Sequence, residues 1–124
     1  MKKIALLLSL TAMSCAGSSL NMEPARQCGH KSLPAEVRQS HAGAGVLEKK
    51  WVADRTLRIR TYLYAICEGS TVSGRFRMEG DQITITYSES IGSNPTKCRC
   101  AAQYEHDFED LDRKEYRIVV REED

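Results

Sequence analysis

The chain has 124 residues, with 18 basic and 17 acidic side chains and a formal net charge of +1, so it lacks the global field that draws nucleic acid or anionic lipid. Its length holds one small domain. A core of that size is marginal, and a disulfide that closes a loop adds typically ~2–4 kcal/mol, so the five cysteines have a use in stability alone.

Met1-Lys2-Lys3 is a charged start, and Ile4 to Leu10 with Thr11 and Ala12 is a short apolar run ending in small residues. The run is too short to cross a bilayer as a helix and fits the h-region of a secretory signal peptide, so residues 1–14 are read as a leader. Signal peptidase would cut after Ser14 or Ala16, leaving the protein secreted to the periplasm, or Ala12-Met13-Ser14-Cys15 would act as a lipobox with Cys15 lipidated. The second stretch resembles the bacterial lipoprotein signal, with Ala12 where Leu is usual. Cysteine arithmetic favours it, because lipidation of Cys15 leaves Cys28, Cys67, Cys98 and Cys100, an even set that forms two bridges. Ala16 stands where the resemblance would place an Asp for inner-membrane retention, so the implied location is the outer membrane, facing the periplasm or the outside.

Gly17 to Gln27 is polar and has no apolar period. Residues 15–27 are therefore read as a lipid-anchored flexible tether with a reach of roughly 20 Å, and residues 28–124 as a single disulfide-braced β domain. Ser32 to Gln39 has the composition of a short helix with Pro34 in its first turn, ended by Gly43-Ala44-Gly45. Val46 to Val52, with Trp51, begins a series of strands. Leu57, Ile59, Thr61, Leu63, Ala65 and Cys67 then alternate with Arg58, Arg60, Tyr62, Tyr64 and Ile66, the period of two of a half-buried strand. Val72 to Met78 and Gln82 to Ser88 predict a hairpin about Glu79-Gly80-Asp81.

In the last stretch, Cys98, Cys100, Ala102, Tyr104, His106 and Phe108 alternate with Arg99, Ala101, Gln103, Glu105, Asp107 and Glu109. After the polar turn at Asp110 to Lys114, Tyr116, Ile118 and Val120 alternate with Arg117, Val119 and Arg121. This predicts a second hairpin, with Glu105, Asp107 and Glu109 facing outward opposite Arg117 and Arg121. Six strands at short spacing predict an all-β fold, a small antiparallel β-sandwich, Ig-like or a partly open barrel, with a short N-terminal helix or coil.

Gly80-Asp81-Gln82-Ile83-Thr84-Ile85, Cys98-Arg99-Cys100, Tyr104, Phe108, Leu111 and Tyr116-Arg117-Ile118-Val119-Val120 together resemble the C-terminal half of small, mostly uncharacterised β-sandwich lipoproteins of Gram-negative bacteria with a Cys-x-Cys strand. The stretch from Asp54 to Cys67 is similar to the strand pair that precedes it there. Ala102 and Gln103 depart from the pattern, which more often has Pro or an acidic residue between the cysteines and the tyrosine. The resemblance implies the fold and a cell-envelope location, and it supplies no catalytic residue.

Cys98 and Cys100 lie on one face of one strand, so each is expected to bridge to another element; Cys67 and Cys28 are the natural partners, and four cysteines allow three pairings. The sharper alternative is a copper or zinc site built from Cys28, His30, Cys98 and Cys100, with His41 or His106 beside them. The spacing is not a zinc-ribbon pattern, and an oxidising compartment disfavours free thiols. No nucleophile elbow, phosphate loop or His-Glu-x-x-His is present, and the acidic run after Glu105 lacks the EF-hand spacing. Arg58, Arg60, Tyr62 and Tyr64 on the outward face of the long strand, joined by Arg75 and Arg77, form a candidate binding patch, since Arg and Tyr are enriched at binding hot spots. The bland reading is an Arg-rich face balanced by the acidic strand, with the tyrosines under a loop or the N-terminal segment. The expectation is an outer-membrane-anchored lipoprotein that is not an enzyme, carries no cofactor and acts as a binding or accessory module for a protein or glycan, an enzyme inhibitor being one version.

Overall fold

The computed structural model describes residues 18–22, 26–27, 33–40 and 42–123. The leader, Cys15, Cys28, His30 and His41 lie outside the described residues. In chain order the elements are β1 (Ser18–Ser19), β2 (Arg26–Gln27), α1 (Ala35–Ser40), β3 (Ala44–Ala53), β4 (Thr56–Ile66), β5 (Ser70–Glu79), β6 (Gln82–Ile91), β7 (Arg99–Phe108) and β8 (Arg117–Glu123). They form two four-stranded sheets in the orders β1-β5-β6-β8 and β2-β7-β4-β3, so the fold is all-β and sandwich-like, as the strand pattern predicts.

Alternation decides what lies between the sheets. Leu57, Ile59 and Leu63 of β4, Ile83, Ile85 and Tyr87 of β6, and Ala102, Tyr104 and Phe108 of β7 turn inward and make the core. Burying a Leu or Ile side chain this completely stabilises the fold by about 1.5–3 kcal/mol. The backbone of that core is the β4–β7 ladder, which runs from Leu57 opposite Phe108 to Ile66 opposite Arg99. One step beyond, Cys67 and Cys98 close a disulfide with Cα atoms 5.4 Å apart. Gly69 turns the chain from this ladder toward β5 with φ of 92°. A Cβ there would sit 2.6 Å from the Pro95 Cα, so only glycine lets the loop before Thr96 lie against the turn.

Two features depart from the expectation. The second hairpin does not form: β8 leaves β7 and joins the other sheet, parallel to β6, with Gln82 opposite Arg117 and Ile85 opposite Val120. Asp110 at φ 60° bends the chain out of β7, and buried Leu111 and Tyr116 plug the end of the sandwich as the chain crosses. Glu105 and Asp107 therefore stand opposite Arg60 and Arg58 of β4 rather than Arg117 and Arg121. Nor do the described residues of the expected tether, 18–22 and 26–27, all hang free; they form a strap. β1 pairs with Arg75 and Phe76 on the edge of one sheet, and β2 with Ala102 and Gln103 on the edge of the other, so the strap stitches both sheets along one side.

The opposite side is closed by side chains. Lys49 of β3 donates to Glu115 Oε2 and to the Tyr116 carbonyl, each at 2.7 Å. Trp51 lies against Tyr116, with the Arg113 guanidinium 5.2 Å from its ring centroid. Outside the second sheet, Leu33 and Val37 of the α1 segment cover Tyr64 and Ala101.

Candidate functional site

The strap leaves a cleft open above it. β2 covers β7 at Ala102 and Gln103 alone, and the strand continues to Phe108 with no other strand alongside that edge among the described residues. Facing it across a gap of about 560 Å³ are Ser19, Leu20 and Asn21 of the strap, with Phe76 and Met78 of β5 forming the floor. The other wall is the consecutive run of residues 105–109 with Leu111. Neighbouring residues of a strand point to opposite faces, so a cavity lined by an unbroken run follows the strand's backbone edge rather than either face.

The floor is apolar. Phe76 and Phe108 meet edge to face with ring centroids 4.9 Å apart. The rim is acidic, with exposed Glu105, Asp107 and Glu109 and no Lys or Arg in the lining. Arg58 reaches the rim from β4, donating from Nε to Asp107 Oδ1 at 2.8 Å and from an Nη to Oδ2 at 3.0 Å, with Glu105 at 3.6 Å. That bidentate bond holds the Asp107 carboxyl below its usual 3.8.

Behind the rim His106 is buried in a polar chain that crosses the core. Its Nε2 is 2.8 Å from the Tyr87 hydroxyl, which is 2.5 Å from Thr61 Oγ1. The imidazole is stacked on Tyr104, with planes 6° apart. Burial pushes His106 below its usual 6.5, with Asp107 pulling weakly the other way, and burial raises Tyr87. The chain is thus neutral at neutral pH, and its groups satisfy one another across the sheets. Tyr87 was invisible as a partner of His106 in the sequence, because the two share a layer only once the sheet order is known.

The residues singled out from the sequence are dispersed. Arg58 and Arg60 lie on the outer face of one sheet, Arg60 contacting Glu48 at 3.3 Å and Gln103 at 3.1 Å. Tyr62 is half-buried and Tyr64 buried beneath Leu33. Arg75 and Arg77 alternate with inward Phe76 and belong to the other sheet, where they contact Glu123 and Glu79. The chain changes sheets at Gly69, so the outward sides of β4 and β5 face opposite ways and the six residues do not make one patch. Cys67, Cys98 and Cys100 are all disulfide-bonded, Cys100 to a partner outside the described residues. In that state Cys98 and Cys100 present no thiolate to a metal, and no group of three His, Cys, Asp or Glu that could hold one occurs among the described residues. No helix among them is long and apolar enough to cross a membrane. Comparison with family models, curated proteins and solved structures finds no match to the chain.

Proposed function

We propose that the chain is an outer-membrane lipoprotein, held by a lipid on Cys15, whose disulfide-braced sandwich works as a non-enzymatic binding or accessory module. The observation that carries this reading is the cleft between the strap and β7, which sets an apolar floor under an acidic rim. Concave, mixed sites of this volume take ligands. The strap pairings on β5 and β7 keep its walls in place without a ligand, and Cys67–Cys98 clamps the far end of the β4–β7 ladder. The polar residues nearest the cleft are a salt-bridged acid pair and a histidine committed to Tyr87, an arrangement suited to recognition rather than to proton transfer. The copper or zinc alternative draws no support from cysteines that are already oxidised.

The test is site-specific photocrosslinking in cells. A photoreactive residue replacing Ser19 should capture a discrete partner, while one replacing exposed Lys50 on β3 should not. Equal labelling from both positions, or none from Ser19, would count against the cleft as the binding site. Cys15→Ser should release the protein from the membrane fraction, and continued retention would contradict the lipid anchor.

A further inference from the structure

We propose that the cleft takes an extended stretch of another polypeptide, alternately basic and apolar, which adds as a strand along the open edge of β7. This rests on the binding-module reading and names the chemistry of the partner.

The backbone argument comes first. Cys67 N–H donates to the Cys98 carbonyl at 2.9 Å. Hydrogen-bonded pairs of an antiparallel ladder recur at every second residue, so Ile59 and His106, and Leu57 and Phe108, exchange bonds within the β4–β7 ladder. Glu105 and Asp107 accordingly turn their own N–H and C=O groups away from β4. That side of β7 is lined by the cleft, and among the described residues β2 reaches no further than Gln103. Two residues thus offer a complete donor and acceptor pattern to a strand laid beside them, the mode by which sheets recognise extended peptides.

The side chains specify the sequence of that strand. Alternate residues of an added strand point inward and outward. The inward ones would meet Phe76, Met78 and Phe108, which favours apolar residues, and the outward ones would meet Glu105, Asp107 and Glu109, which favours Lys or Arg. Arg58 contacts both Glu105 and Asp107 but its single charge offsets only one of the two, and Glu109 makes no ion pair among the described residues. A second copy of this chain pairing edge to edge would set Glu105 and Asp107 against themselves, and like charges directly opposite are destabilising. The run from Glu105 to Glu109 corresponds to about 13 Å of strand, so a basic-apolar-basic-apolar-basic segment fills it.

The experiment titrates the full mature protein in detergent with a heptapeptide alternating lysine and valine. Two controls accompany it: the same peptide N-methylated at alternate residues, and its glutamate analogue. The lysine peptide should bind at least tenfold more tightly than either control, and the Glu105 and Asp107 amides should exchange at least tenfold more slowly when it is bound. Glu109→Lys, at an exposed position, should weaken the lysine peptide and strengthen the glutamate one. Equal binding of the N-methylated peptide, slowed exchange elsewhere than β7, or no binding at millimolar concentration would overturn the proposal. Capture through the Ser19 position alongside any of those results would leave the binding-module reading standing and sink strand addition alone.

Discussion

Replacing Tyr87 by Phe removes one oxygen from the centre of the molecule and leaves every packing contact of the ring. Tyr87 is 1% exposed, and its hydroxyl links Thr61 on β4 to His106 on β7. Without it the Thr61 hydroxyl can rotate to another acceptor. The His106 ring is buried beside Tyr104 and Tyr87, and the Tyr87 hydroxyl is the partner of its Nε2, so that nitrogen loses its hydrogen bond. The cost is therefore that of one stranded buried polar group, about 1–3 kcal/mol, or about 4–8 °C in Tm for each kcal/mol in a domain of this size. Urea unfolding at pH 8, with disulfides intact and Trp51 fluorescence as the probe, should show a lower midpoint and an unchanged slope. A cycle with His106→Phe should give a coupling energy of at least about 0.5 kcal/mol. Additivity within about 0.3 kcal/mol would refute the claim that the two residues act as one unit.

The same histidine sets a pH dependence. Its folded pKa lies below the ordinary 6.5, so the unfolded chain takes up the proton first as pH falls, and stability should be level above pH 6.5 and decline below it. His106→Phe should flatten that decline, leaving the separate loss near pH 4 and below, where Asp107, Glu115 and Glu123, all depressed by their cationic partners, take up protons. A urea midpoint that rises from pH 6.5 to 5.5 would contradict burial of the neutral ring. Cys67 and Cys98 are 31 residues apart, which corresponds to about 3–4 kcal/mol of loop-closure entropy; Cys67→Ala/Cys98→Ala should lose close to that, and a loss under about 1 kcal/mol would mean the unfolded chain is not constrained there. A non-reducing peptide map should contain Cys67–Cys98 and a second link joining Cys100 to Cys28, since β2 ends at Gln27 opposite Ala102; Cys100 recovered as a free thiol would contradict it. Gly69→Ala forces a Cβ into the Pro95 backbone at positive φ and should cost more than about 1 kcal/mol, so a neutral result would mean the turn relaxes.

The strands were legible wherever alternation was long. Leu57 to Cys67 and Cys98 to Phe108 each show five or more residues at a period of two, and the inward sets from Leu57 to Ala65 and from Ala102 to Phe108 came out as read, whereas Cys98 is exposed and Tyr64, Ala101 and Gln103 on the outward side are buried as well. The pairing was not legible, because a strand alternates in the same way whichever sheet it joins. Arg117 to Val120 looks like the return arm of a hairpin, yet what sends it to β6 is the bend at Asp110 and the burial of Leu111 and Tyr116, none of which has a periodic signal. Two-residue strands such as Ser18–Ser19 are equally silent. The cleft was hidden for the same reason, being made by what β2 leaves uncovered. His106 and Phe108 were placed on the inward face, but Leu20, Phe76 and Met78 could join them only through the sheet order.

The order of strands also governs how the molecule comes together in time. β3 with β4 and β5 with β6 are neighbours in sequence and can pair as local hairpins. The β4–β7 ladder instead joins residues as distant as Leu57 and Phe108, and the parallel β6–β8 pair must await a strand from beyond it. Such non-local pairing places folding in the millisecond-to-second range typical of sandwiches. Until β7 and β8 arrive, the inward faces of both hairpins stay wet and sticky, so these last two strands decide when the core closes.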